Sequence, residues 1–311
     1  MNDLAPIVLF VYNRPYHTLK TIETLKANML AKQSELIIFS DGPKNDTDAQ
    51  NVNKVRKVIS KINGFKNIDI RLSDSNRGLA NSIIQGVTEV IKIHKKVIVL
   101  EDDLITSPYF LKYMNDALNF YQEKYNIWSI SGYTPVIEIP KEYSKDLYIT
   151  PRGCSWGWAT WNDRWTTIDW EIKFYKEFIN DKKKVKEFNK GGNDMTMMLK
   201  DQMNGYIDSW AIRWCFNQFI QKKYTIYPTV TFVKNIGFDN SATHGSFKKN
   251  KEFDLINDYK INFTHDLSVD KKILGSFANH YKLEIYNYLG FILKKVGLYK
   301  TVKKQLKKIA K

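Results

Sequence analysis

The chain has 311 residues, 43% of them hydrophobic and 14% aromatic, which is enough for a large core and excludes a disordered chain. Two cysteines, Cys154 and Cys215, exclude a disulfide scaffold and a zinc ribbon. The net charge of +15 favours a polyanionic partner such as nucleic acid, an acidic membrane or a phosphorylated ligand, but eight lysines of that excess fall between Lys294 and Lys311, with no acid after Glu284.

Ile7 to Tyr12 is a short, continuously apolar run and reads as a strand buried on both faces. Asn13-Arg14-Pro15 ends it, and Thr18 to Met29 follows with Leu19, Ile22 and Leu25 at helical spacing. Leu36 to Ser40 is a second strand, stopped by Asp41-Gly42-Pro43. Val52, Val55, Val58, Ile59 and Ile62 mark a helix, and Ile68 to Leu72 a third strand. Gly78 to Ile93 is helical through Leu79, Ile83, Val87, Val90 and Ile91. Val97 to Leu100 is a fourth strand, with Glu101-Asp102-Asp103 at its C-terminal end. This β-α-β-α-β-α-β order predicts an α/β fold with a mostly parallel sheet and helices on both faces. Ligands of such sheets bind at the carboxyl ends of strands, where the polar clusters at 13–14, 41–42 and 101–103 fall.

Beyond residue 104 the pattern predicts a helix over 108–121, a strand over 128–132, a charged helical stretch over 172–204, a helix over 208–221 and a strand over 225–233. The segment from Arg152 to Trp170 holds Trp156, Trp158, Trp161, Trp165 and Trp170. Residues 238–247 read as a polar loop.

Three adjacent carboxylates repel one another, and a divalent ion with hard oxygen ligands would neutralise them and also bind a diphosphate; a solvated acidic turn is the plainer alternative. Asp41 could accept a hydrogen bond from a base or ribose, or form a turn before Gly42. Arg14 could pair with phosphate or stack on a base. Arg77 precedes a helix N-terminus that would suit an anion. Asp208 could take a proton as a general base or cap a helix. His244 could contact metal or diphosphate, or sit on the surface. Trp156, Trp158 and Trp161 could offer a stacking platform for a sugar ring, or pack in the core.

The runs Val11-Tyr12-Asn13-Arg14-Pro15, Ser40-Asp41-Gly42, Asn76-Arg77-Gly78-Leu79-Ala80, Val99 to Leu104 and Gly157-Trp158-Ala159-Thr160-Trp161 together resemble glycosyltransferases of the GT-A fold. The resemblance is to the group that includes N-acetylglucosaminyltransferase I and bacterial capsule and O-antigen transferases, over roughly residues 5–250. It implies an inverting transferase that uses a nucleotide-sugar, with UDP-sugar expected, and a divalent metal, Mn²⁺ or Mg²⁺. Arg14 and Asp41 would hold the nucleotide together with Arg77, Glu101 would face the donor sugar, Asp102 the ribose, and Asp103 would ligate the metal with His244 as a late ligand. Asp208 would be the base, with Asp201 as fallback; Ser209 stands where the related enzymes have a second acid. The acceptor would be a glycan or lipid-linked oligosaccharide. The implied domain limits are 1–265 for the transferase, with a nucleotide half at 1–105 and an acceptor half at 106–265, and 266–311 for a basic helical tail.

In that tail Leu289, Leu293, Val296, Tyr299, Val302, Leu306 and Ile309 recur every three or four residues among lysines, the pattern of an amphipathic helix on an anionic membrane. No run of residues is apolar and long enough to span a bilayer, and Met1 to Pro6 lacks the basic start of a signal peptide. The expected location is cytoplasmic, peripheral at the inner face of the cell membrane. Two other functions fit less well. A sugar-phosphate nucleotidylyltransferase would need a glycine-rich loop where Asn13-Arg14-Pro15-Tyr16 stands. No nucleic-acid partner is expected, because the charge is concentrated in the tail and no binding motif is present.

Overall fold

Every side chain of β1 (Ile7–Val11) is buried, and a strand without a polar face needs cover on both sides of its sheet. Ile7, Leu9 and Val11 enter one apolar cluster, and Val8 and Phe10 enter a second, following the two-residue alternation of a strand. The computed structural model of the chain describes residues 4–238 and 254–283.

The first half follows the expected alternation: β1, α1 (Pro15–Lys26), β2 (Glu35–Ser40), α2 (Asp46–Ile59), β3 (Asn67–Leu72), α3 (Leu79–His94) and β4 (Lys96–Glu101). The second half adds β5 (Leu104–Thr106), α4 (Phe110–Phe120), β6 (Ile127–Ser131), β7 (Leu147–Thr150), β8 (Trp158–Trp161), α5 (Asn162–Trp165), α6 (Tyr175–Asn180), α7 (Lys182–Phe188), α8 (Met195–Met203), α9 (Trp210–Ile220), β9 (Tyr224–Pro228), β10 (Val233–Asn235) and α10 (Lys271–His280).

One eight-stranded sheet runs β3-β2-β1-β4-β8-β6-β9-β7. Strands β3, β2, β1 and β4 are mutually parallel, as are β6 and β9, whereas β8 is antiparallel to both neighbours and β7 to β9. Helices α1, α2 and α4 cover one face through Ile22, Leu25, Val55, Ile59, Leu111 and Leu118. Helices α3, α8 and α9 cover the other through Ile83, Val87, Leu199, Ile212 and Phe216. The α/β architecture with helices on both faces is therefore as expected.

Several details differ. Leu19 and Leu79, expected in the core, are 40% and 49% exposed; α1 instead buries Thr18 and Thr21 beside Ile22 and Leu25. The Thr21 hydroxyl donates to the Asp102 carbonyl at 2.9 Å, so that face of α1 is polar because it meets a strand end. The stretch 172–204 is three helices. Asp181 starts α7 by accepting from the Lys183 and Lys184 amides, and Gly192 at φ +139° ends the turn before α8. Strand β9 stops at Pro228, and β10 leaves the main sheet to pair antiparallel with β5.

Asp270 caps α10 through the Lys272 and Ile273 amides, and Ile273 and Phe277 pack against Tyr148 and Tyr227. The start of the 266–311 segment is thus folded onto β7 and β9. Residues 284–311, with the amphipathic pattern, lie outside the described residues. Among the described residues no helix is long and apolar enough to cross a membrane.

Candidate functional site

The strand order fixes where a ligand can enter. From β1 the chain steps outward to β2 and β3, with α1 and α2 on one face. Helix α3 then crosses on the other face and delivers β4 to the free side of β1. The carboxyl ends of β1 and β4 flank this reversal, the place where open α/β sheets bind ligands. Phe10 pairs in register with Glu101, so Tyr12-Asn13-Arg14 and Asp102-Asp103 leave the sheet side by side.

Arg14 spans the gap. Its Nη1 donates to Asp103 Oδ2 at 2.8 Å and its Nη2 to the Gly237 carbonyl at 3.0 Å. The pair is largely shielded, with side chains 14% and 18% exposed. Burial, then the charge of Asp103, pushes the Asp102 carboxyl up to about 7, although its Oδ2 accepts the Tyr12 amide at 3.2 Å. Glu101 is driven well above the ordinary carboxylate range by burial, then by Asp103 and Asp102. Glu101 and Asp102 thus sit where desolvation and the neighbouring acids disfavour charge, and Arg14 offsets part of it. These hard carboxylate oxygens are the donors that Mn²⁺ or Mg²⁺ takes, and such ions are commonly held by one or two carboxylates plus substrate phosphates. The residues fit that use. Among the described residues no group of three or more His, Cys, Asp and Glu side chains is arranged to hold a metal.

Asp41 and Arg77 meet each other. Asp41 Oδ1 accepts the Gly42 and Arg77 amides, each at 2.9 Å, and Oδ2 accepts the Gly78 amide at 3.0 Å and Asn76 Nδ2 at 3.1 Å. The anion received at the start of α3 is therefore this carboxylate, and Asp41 ties the 76–78 turn to the end of β2. Gly42 is required by close approach, since a Cβ there would stand 2.5 Å from the Ser75 carbonyl carbon. The Arg77 guanidinium is directed along α3 to Gln85 Oε1 at 3.2 Å.

Asp208 lies on the α8–α9 connection, 59% exposed, with its Oδ1 paired to Arg213 Nη2 at 2.9 Å. It is not the helix cap. Ser209 is, its Oγ accepting the Ile212 amide at 3.3 Å, which gives the serine in place of a second acid a structural role. Asp201 is buried on α8. His244 lies outside the described residues.

The tryptophan platform is mostly core. Trp158 is 1% exposed and packs against Trp165, Trp210 and Trp214 at ring distances of 5.7, 5.1 and 4.8 Å. Trp161 is 3% exposed, and its Nε1 donates to the Leu118 carbonyl. Position decides this: both sit on β8, in the middle of the sheet. Trp156, before the strand, is half-buried against Tyr133 and Phe238 at 4.6 and 5.5 Å.

Sequence reasoning missed two contributors. The β10 exit folds over the acidic end: the Ile236 amide donates to the Asp103 carbonyl at 2.9 Å, and a Cβ on Gly237 would stand 2.1 Å from Asp103 Oδ2. Asp48, in the first turn of α2, accepts from Tyr12 Oη at 2.9 Å and Asn13 Nδ2 at 2.8 Å. Burial, then that bond, pushes the Tyr12 phenol up to about 12. Neither contact has a signal in the sequence, because each joins residues at least 35 positions apart.

No family model and no curated protein matches the chain. Solved structures similar to it include a mannosyltransferase, PcManGT from Pyrobaculum calidifontis, in complex with GDP-Man and Mn²⁺, at 12% identity and TM-score 0.34, over 52% of this chain and 48% of that one. S. aureus TarS is similar at 12% identity and TM-score 0.39, over 75% of this chain and 37% of that one. Its 1–349 fragment is similar at 11% identity and TM-score 0.37, over 73% and 59%. The chain spans less than two thirds of each of these structures.

Proposed function

We propose that the chain is an inverting, metal-dependent glycosyltransferase. It moves a sugar from a nucleotide-sugar, taken as a UDP-sugar, to a hydroxyl of a glycan or lipid-linked oligosaccharide in surface polysaccharide synthesis. The observation that carries this reading is the Arg14–Asp103 pair at the β1–β4 reversal, with Asp102 and Glu101 beside it. Asp103 would hold the divalent ion, which when bound supplies positive charge against that developing on the departing diphosphate. Arg14 gives the phosphates a guanidinium. Asp102 faces the ribose and Glu101 the donor sugar. Asp41 organises the 76–78 turn that walls the nucleotide side, and Arg77 stands at its rim. His244 is assigned as a later metal contact.

A sugar hydroxyl is a weak nucleophile near pH 7, and a carboxylate that takes its proton lowers the barrier. We assign that task to Asp208, oriented by Arg213, with Asp201 as the alternative. A single displacement opposite the leaving group inverts the anomeric centre. The basic tail would hold the enzyme at the cytoplasmic face of the membrane; deleting residues 294–311 should release it from anionic vesicles.

The test is protection against thermal unfolding. UDP with Mn²⁺ should raise Tm while an oligonucleotide should not, and a screen of nucleotide-sugars should then reveal hydrolysis of one donor. Protection by the oligonucleotide alone would reverse the assignment.

A further inference from the structure

We propose that Asp48 is a positioning residue for the nucleoside end of the donor, an inference that rests on the nucleotide-sugar reading above. Asp48 Oδ2 accepts the Tyr12 hydroxyl at 2.9 Å and Oδ1 accepts Asn13 Nδ2 at 2.8 Å. The Lys44 amide donates to the same Tyr12 oxygen at 3.1 Å, and the Tyr12 amide donates to Asp102 Oδ2. Asp48 is itself fixed, because its amide donates to Asn45 Oδ1, the cap of α2.

Tyr12 is thus fastened from two directions, by its backbone amide to Asp102 and by its side chain to α2, and Asn13 is fastened to α2 by its side chain. Their side chains reach toward Lys44 and Asp48, the residues that follow the Asp41 turn after β2, whereas the Arg14 guanidinium meets Asp103 beyond the end of β4. A diphosphate drawn to Arg14 and Asp103 leaves its nucleoside over Tyr12 and Asn13. Side chains already held in place are not ordered at the expense of binding. Asp48 touches no ligand in this arrangement and acts only through the two residues it holds.

The test uses the full chain and three probes, UDP, GDP and inorganic pyrophosphate, each titrated calorimetrically with Mn²⁺. Asp48→Ala should weaken the nucleotide that binds by at least ~10-fold and change pyrophosphate by less than ~2-fold, because only the nucleoside floor is loosened. Asp48→Asn should stay within ~3-fold of wild type, since its amide oxygen still accepts the Tyr12 hydroxyl and the Asn13 amide can turn to meet its NH₂. Tyr12→Phe keeps the ring and cuts one tether; it should weaken the nucleotide about 3-fold, and Asp48→Ala should cost less in that background than alone. Unchanged nucleotide affinity in Asp48→Ala, or an equal loss for pyrophosphate, would overturn the inference. Should Asp48→Ala fail to fold, Tyr12→Phe decides, and wild-type affinity in it overturns the inference. A wild-type chain that binds none of the three probes overturns the nucleotide-sugar reading and this inference together, whereas binding with unaffected variants overturns this inference alone.

Discussion

The acidic end of β4 and the tryptophan cluster around β8 sit on neighbouring strands, and the sequence offers both as ligand contacts. Their fates differ. Strand β8 lies in the interior of the sheet, and Trp158 and Trp161 leave it inside two layers of helices. Strand β4 delivers its acids past the end of the sheet, beside β1, where Arg14, itself held by the Gly237 carbonyl, pairs with Asp103. Residue type proposes a site, and place in the topology decides it. The cluster spends its aromatic area on stability; the strand end keeps charges that stability alone would not select.

The largest expected effect breaks the comparison from the core side. Trp158→Ala should destabilise the fold by about 3–5 kcal/mol in urea titration, and Asp103→Asn by clearly less, because the charge it removes also repels Asp102 and Glu101; similar losses would erase the distinction. Next, Asp208→Asn should lower turnover by at least ~100-fold with donor affinity kept, and near-normal turnover moves the role to Asp201. Gly237→Ala should weaken UDP–Mn²⁺ about 10-fold by pushing against Asp103 Oδ2, with little change in Tm; wild-type affinity would show that the β10 exit does not shape the site.

A further effect is on pH dependence. In metal-free protein Asp102 titrates near 7 in the fold against an ordinary value of 3.8. A raised value means that the folded state binds the proton more tightly, so the stability from this group is full below about pH 4 and is lost as pH rises through 7. Metal-free protein should therefore unfold at lower urea at pH 8 than at pH 5, and Asp102→Asn should flatten that slope. A slope unchanged in the variant would place the charge penalty elsewhere.

What the sequence made legible follows from locality. Strands β1, β2 and β4 are runs of apolar residues buried on both faces, and each ends at a polar cluster, so topology and strand-end chemistry are written in consecutive residues. Strands β5, β8 and β10 have only three or four residues and carry no period long enough to read. Asp41 looked free to meet a base because its four donors, apart from the Gly42 amide, come from residues 76–78. Gly237 over Asp103 and Asp48 under Tyr12 are tertiary contacts for the same reason. The tryptophans misled because an aromatic side chain reads alike in a core and on a platform until its depth in the sheet is known.

The central claim is that the end of β4 is a metal–nucleotide site, and calorimetric titration of UDP with Mn²⁺ into the wild-type chain and Asp103→Asn tests it most directly. The account predicts metal-dependent binding to the wild type and its loss in the variant, with both proteins folded at the same Tm within a few degrees. Equal affinity of the two for UDP–Mn²⁺ would contradict it.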